Sequence, residues 1–217
     1  MVKNRSSPED LELLGGRLCL DFINTVDWRG REKPIEFLND YKSLITWGQH
    51  VKMLTKPEAL LLLRLAADSA QKAERVLRDT IELRETLYRL LSSTIKGDLP
   101  RQADLDLFNR YLSRTMARSK IVREKSGFFL DSTGPKEELD RILNPITQSA
   151  ADLLTSPQEL KRVKMCADLE CGWLFLDHSR NQSRRWCDMK DCGNRAKVSQ
   201  FYLRKKKTRQ FESPNKL

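Results

Sequence analysis

Four of the five cysteines in this 217-residue chain lie in one segment near its C-terminus. Cys166 and Cys171 form a C-x4-C pair, and fifteen residues further on Cys187 and Cys192 form a second pair with the same spacing. Zn²⁺ has no redox chemistry and no geometric preference from d-electrons, so four thiolates can close a tetrahedron around it. The spacing therefore predicts a structural zinc ion with all four cysteines as ligands.

Disulfides and free core thiols are the other uses of such cysteines. The first seven residues are mostly polar and lack the apolar core of a signal peptide, so we expect a cytoplasmic protein whose thiols stay reduced. No stretch approaches the ~20 apolar residues of a membrane helix. His178 lies between the two pairs, but four cysteines complete the ligand set, and we expect this histidine on the surface.

The residues around the cysteines predict a treble-clef-like zinc finger. Trp173 to Leu176 is an apolar, strand-like run, residues 177–183 are rich in turn formers, and a helix is expected to begin at Gly193, next to the last ligand. We expect the aromatic residues to form the small core of the finger, although base stacking is the alternative. These aromatic residues are Trp173, Phe175, Trp186 and Phe201.

Two motifs carry a resemblance to a known family. The run Cys192-Gly193-Asn194-Arg195 resembles the CGNR zinc finger, and residues 15–27 are similar to the start of the ABATE domain that accompanies it. Together the two motifs and the chain between them cover nearly the whole sequence. The resemblance implies a bacterial, DNA-binding transcription regulator with an N-terminal ABATE domain and a C-terminal finger.

Positive charge is concentrated at the C-terminal end. Residues 158–217 hold 15 Lys and Arg against 7 Asp and Glu, whereas residues 1–157 hold 25 against 23. This asymmetry predicts a polyanionic partner, with double-stranded DNA expected and RNA or another protein as the alternatives. The predicted nucleic-acid-binding residues are Arg180, Arg184, Arg185, Arg195, Lys197, Arg204, Lys205, Lys206 and Lys207. For Asn194 and Arg195, a structural role around the metal is an equal alternative.

A polar cluster follows the glycine pair near the N-terminus. Residues 1–8 are expected to be a disordered lead, after which Gly15-Gly16 is expected to join two strands, the second over 17–22. Asp21, Asn24 and Thr25 then form either the lining of a small-molecule effector pocket or hydrogen bonds to their own backbone, and we favour the second.

Most of the remaining N-terminal sequence has helical periodicity. Helices are predicted over residues 34–53, 60–67, 70–95, 100–115 and 137–154, with a β-hairpin over 120–130. The fold class is therefore α+β and mostly helical. We expect an N-terminal helical domain with short β-hairpins over residues 1–157 and the zinc finger with its basic tail over 158–217. The apolar repeat of the longest helix favours packing within the domain over a coiled-coil dimer.

The chemistry-bearing residues do not predict an enzyme. The sequence has no Gly-rich phosphate loop and no nucleophile elbow, and its two histidines are His50 and His178. We expect a protein that binds nucleic acid through the finger and senses a ligand or partner through the N-terminal domain.

Overall fold

The computed structural model of the protein describes residues 5–131, 135–198 and 202. Its helices are α1 Leu18–Ile23, α2 Tyr41–His50, α3 Lys56–Asp68, α4 Ala70–Lys96, α5 Gln102–Arg118, α6 Leu143–Leu154 and α7 Pro157–Leu160. Its strands are β1 Val26–Asp27, β2 Ile35–Glu36, β3 Lys120–Glu124, β4 Gly127–Asp131, β5 Val163–Met165 and β6 Leu174–Leu176, paired in three antiparallel ribbons in chain order. Single 3-10 turns cover Pro8–Asp10 and Leu139–Ile142. The expected α+β, mostly helical fold class is confirmed.

Helix α4 is the centre of the helical part. It packs against α1, α2, α3 and α5 and also reaches strand β5. Leu83, Leu87, Leu90 and Leu91 lie along its apolar stripe and are fully buried. The helix ends at Gly97, whose φ of 79° is the left-handed conformation that glycine adopts without a Cβ clash.

Local capping explains where α2 and α3 begin. The amide of Ser43 donates to the Asp40 carboxylate at 2.7 Å, so the predicted helix is present as α2 but begins at Tyr41, and its predicted start at residue 34 is wrong. Strand β2 occupies the first part of that range. At α3, the Thr55 amide donates to the Glu58 carboxylate at 2.9 Å, which forms a capping box and lets the helix begin at Lys56.

The strand predicted over residues 17–22 is wrong, because this segment is helix α1. Alternation of apolar and polar residues indicates a strand with one buried face, but Cys19, Leu20, Phe22 and Ile23 are all fully buried. A short helix enclosed on all sides by α4, α6 and β6 accounts for such burial. The Gly15 amide donates to the Asp21 carboxylate at 2.8 Å and holds the glycine turn against the helix.

The cysteine-rich segment shares a single core with the helices. Trp173, Leu174, Phe175 and Leu176 are all buried, so β6 is covered on both faces. The predicted core residues Trp173 and Phe175 therefore belong to the core of the whole molecule, whereas Phe201 lies outside the described residues. The side chain of Asn24 bridges the two parts, since it donates to the Leu174 carbonyl at 2.8 Å and accepts from the Leu174 amide at 2.9 Å.

None of the helices in the described part of the chain is long and apolar enough to cross a membrane.

Candidate metal centre

The structure brings the four predicted cysteines together. Their Sγ atoms all lie within 4.8 Å of one another, and the side chains are buried. Cys187 Sγ is 3.6 Å from Cys171 Sγ and 3.5 Å from Cys192 Sγ. A tetrahedral zinc site with Zn–S bonds of about 2.3 Å requires sulfur–sulfur distances of about 3.8 Å. The sulfurs are therefore spaced as ligands of one metal ion and not as disulfides.

Neighbouring thiolates repel one another, so the four thiols do not all ionise unless a cation lies among them. Contact with the Cys166 thiol raises the pKa of Cys171 and also that of Cys187. Four thiolates in such a small buried volume require a positive charge to be stable together. The chemistry of the cluster thus fits a bound metal ion.

The first cysteine pair is a tight knuckle. The Cys166 amide donates to the Trp173 carbonyl at 2.8 Å, and the Cys171 amide donates to the Asp168 carbonyl at 3.0 Å. Gly172 has a φ of 71°, and a Cβ there would lie 2.7 Å from the Cβ of Arg29. Glycine is therefore required both by the turn and by the close approach of the N-terminal segment.

Asp177 positions the loop that leads to the second pair. This fully buried carboxylate accepts from Lys164 Nζ at 2.7 Å, from the Ser179 amide at 2.9 Å and from the Arg184 amide at 3.0 Å. Burial raises the pKa of Asp177, but the bonds from Lys164 and Ser179 outweigh it and hold that pKa well below its usual range. Sequence analysis missed this residue, although Asp-x-Ser is a recognised turn signal.

Arg195 is bonded within the protein. Its guanidinium donates to Asp168 at 2.8 Å, to Asp191, and to Cys192 Sγ at 2.9 Å, and it lies 4.3 Å from the ring centre of Trp28. Burial lowers the pKa of Arg195, but the hydrogen bond to Asp168 and the neighbouring acidic groups raise it by more. The pKa of Arg195 therefore lies above the ordinary value of a guanidinium. These contacts favour the structural alternative for Arg195. The Asn194 amide donates to the Lys190 carbonyl at 2.8 Å and is likewise engaged locally.

The other predicted nucleic-acid-binding residues divide into three groups. Arg184 lies 4.3 Å from the ring centre of Phe175 and donates to the Trp186 and Cys187 carbonyls, so its guanidinium is used inside the finger. Arg180, Arg185 and Lys197 are exposed. The remaining predicted residues, Arg204, Lys205, Lys206 and Lys207, lie outside the described residues.

The N-terminal lead also reaches the metal centre, against expectation. Residues 1–4 lie outside the described residues, but the Arg5 side chain is only 8% exposed. Its guanidinium donates to Asp27 at 2.6 Å and to Asp191 at 3.5 Å, next to the ring of Trp173. Nothing in the spacing of Arg5 indicated this contact, because its partners lie 22 and 186 residues away.

The residues of the possible effector pocket form hydrogen bonds within the fold. Asp21 binds the Gly15 amide, Asn24 binds the backbone of Leu174, and the Thr25 hydroxyl donates to the Phe22 carbonyl at 2.7 Å. Arg84 donates to the same hydroxyl at 3.1 Å. Asp21 and Thr25 therefore bond nearby backbone, whereas the partner of Asn24 lies 150 residues away and not in the local backbone that we expected.

Comparison with protein families gives two matches along the chain. Residues 16–157 match the ABATE family, described as "Putative stress-induced transcription regulator", and residues 162–205 match the CGNR zinc finger. No curated protein matches the chain significantly.

Proposed function

Because this chain belongs to the ABATE family and ends in a CGNR zinc finger, we propose that it is a transcription regulator that binds double-stranded DNA. The metal ion in the four-cysteine site is zinc, since four soft thiolates in a closed tetrahedron disfavour Mg²⁺ and Ca²⁺. We propose a cytoplasmic protein that acts by binding and catalyses no reaction.

The proposal rests on Lys and Arg side chains that have no ion-pair partner in the described part of the chain. Arg180, Arg185 and Lys197 are exposed on the finger and have no ion-pair partner among the described residues. Residues 199–217, which include the last residues of the finger match and the sequence after it, hold six Lys and Arg against one Glu. Lys and Arg that neutralise phosphates release counterions, which supplies most of the affinity of a protein for a polyanion. The finger then fixes where this basic tail leaves the protein.

The test is a comparison of two triple variants with equal charge loss. We expect Arg180→Ala, Arg185→Ala and Lys197→Ala together to weaken duplex DNA binding about tenfold or more at ~0.15 M salt, because three phosphate contacts are lost. The matched control changes Lys33, Lys56 and Lys72, three exposed lysines of the N-terminal part, to alanine. Fluorescence anisotropy with zinc-loaded protein measures both, and equal weakening by the two variants would contradict the proposed interface.

The same titration distinguishes DNA from RNA. Structured RNA measured at matched salt should bind more weakly than duplex DNA if the protein is a transcription regulator. Tighter binding of RNA would assign the finger to RNA, and equal binding of both would leave only a nonspecific electrostatic contact.

A second candidate function makes the finger a structural lid or a protein-interaction module. Its support is the near neutrality of residues 158–198, with nine Lys and Arg against six Asp and Glu, and the packing of β6 against α1. Absence of measurable affinity for either nucleic acid at ~0.15 M salt, the physiological ionic strength, would favour this candidate.

We also propose that the N-terminal helices sense an effector. The candidate place is a cleft of about 320 Å³ beside α4 and α5, lined by Asp79, Glu82, Leu107, Arg110, Tyr111 and Arg114. Its volume lies at the small end of ligand pockets, and its mixture of carboxylates and guanidinium groups suits a small zwitterion. A thermal-shift series with free amino acids, repeated with Arg114→Ala, tests this placement.

A further inference from the structure

The β3–β4 hairpin is exposed on both faces. Cross-strand pairing places Ile121 opposite Leu130 on one face, together with Phe128, and Val122 opposite Phe129 on the other. Phe128 is 74% exposed, Ile121 66%, Phe129 44% and Leu130 43%. In the described part of the chain, neither strand packs extensively against another helix or strand. A two-stranded hairpin of this kind is marginally stable in water, and a cluster of exposed large apolar side chains marks an interaction surface.

The two edges of the hairpin differ in charge. Strand β3 carries Lys120, Arg123 and Glu124, and Lys125 follows it in the turn. Charged side chains of this type protect a free edge from pairing with other strands. Strand β4 reads Gly-Phe-Phe-Leu and has no charged residue before Asp131 at its end. The edge of β4 is therefore the unprotected one.

Strand β4 is also complementary to itself. If two copies pair antiparallel about Phe129, Phe129 faces its own counterpart and Phe128 faces Leu130, so the three central pairs are all apolar. The cations of the two β3 strands then lie on the outer edges, far from one another. Symmetric pairing of one surface with itself is the commonest arrangement in protein dimers.

We propose that β4 pairs edge to edge with β4 of a second copy of this chain, which joins the two hairpins into a four-stranded antiparallel sheet. Two five-residue strands and their side chains bury on the order of 1,000 Å², at the lower limit for specific interfaces. The dimer should therefore form in the micromolar range, in equilibrium with monomer. This inference is independent of nucleic-acid binding.

The first test is sedimentation velocity of the full-length, zinc-loaded protein from about 1 to 100 µM, a range set by the expected affinity. The wild type should shift from monomer to dimer over this range. Phe129→Asp should weaken the dimer at least tenfold, because two carboxylates meet at the symmetry axis. Phe129 lies outside the core, so helical content and melting temperature should stay unchanged. The matched control is Leu99→Asp, at a leucine that is 96% exposed and outside the hairpin.

The second test uses covalent capture at the axis. Facing residues of antiparallel strands have Cα atoms about 4.5–5.5 Å apart, within the range that a disulfide spans. Phe129→Cys should therefore form a disulfide-linked dimer under mild oxidation, and Leu99→Cys should not. The native cysteines are all buried, which keeps the background low.

Several outcomes would overturn the proposal. A wild type that is monomeric over the whole range would do so, as would a dimer that Phe129→Asp leaves intact. A monomer that cosediments with anionic phospholipid vesicles through Phe128 and Phe129 would assign the hairpin to a lipid surface instead.

Discussion

Asn24 bonds the helical part of the protein directly to the cysteine-rich part. Its side-chain amide makes two hydrogen bonds to the backbone of Leu174, and both residues are buried. Asn24→Ala leaves a buried amide and a buried carbonyl without partners, and each such loss costs about 1–3 kcal/mol. We therefore expect the free energy of unfolding to fall by about 2–5 kcal/mol in chemical denaturation.

The control for this substitution is Asn39→Ala. The Asn39 side chain makes one exposed hydrogen bond, to the Glu36 carbonyl at 3.0 Å, and its loss should change stability by less than about 0.5 kcal/mol. Equal effects of the two substitutions would show that Asn24 does not connect the two parts.

Asp21 gives the protein a specific pH dependence. Burial raises the pKa of this carboxyl to about 6, above its ordinary value near 4. The folded state thus holds a proton that the unfolded state releases, and the resulting stability is present at pH 4 and is lost as the pH rises through 6. Asp21→Asn keeps an acceptor for the Gly15 amide and removes this titration.

The measurement compares wild type and Asp21→Asn at each pH from 4.5 to 7.5, so that other titrating groups cancel. The stability difference between them should change by about 1–3 kcal/mol in favour of the variant towards neutral pH, since each pKa unit corresponds to 1.36 kcal/mol. A difference that is constant with pH would contradict the raised pKa of Asp21.

At the scale of elements, β6 makes the metal centre part of the main core. It follows the first cysteine pair directly and is buried between its strand partner and α1. Removal of the metal with a chelator should therefore destabilise the helices together with the finger, in one cooperative transition. Hydrogen exchange of the α1 amides should rise after chelation, and it should rise equally in Cys187→Ser.

Cys19→Ala is the matched control, because Cys19 is a buried cysteine outside the metal cluster. This variant should lose stability through a small cavity but keep one metal ion per chain and normal α1 exchange relative to its own stability. Two separate unfolding transitions after chelation, with the helices unaffected, would contradict a shared core.

Residue spacing was enough to predict those features whose structure is determined by residues close together in the sequence. The two C-x4-C pairs and the hairpin over 120–130 each depend on residues that lie close together in the sequence. Helix α1 was predicted wrongly because its surroundings on all sides come from distant segments. The roles of Arg5 and Asn24 could not be predicted for the same reason, since their partners lie up to 186 residues away.

At the scale of the whole molecule, charge predicts how binding should depend on salt. Residues 204–217 hold six Lys and Arg against one Glu. The slope of log affinity against log salt concentration changes by about 0.9 for each phosphate contact with B-DNA. Truncation after residue 203 should therefore reduce the slope by up to about 5, and the truncated protein should keep its metal. A slope unchanged by truncation would contradict a role of the tail in binding.

The bond between Asn24 and Leu174 has a consequence for synthesis on the ribosome. The two residues are 150 positions apart, so at ~5–20 residues per second the ribosome needs about 8 to 30 seconds after Asn24 to make its partner. During this interval the apolar side chains around α1 have no strand to cover them. Nascent chains stalled before residue 174 should accordingly be targets for chaperones and proteases, and the finished protein escapes them only once its last segment has emerged.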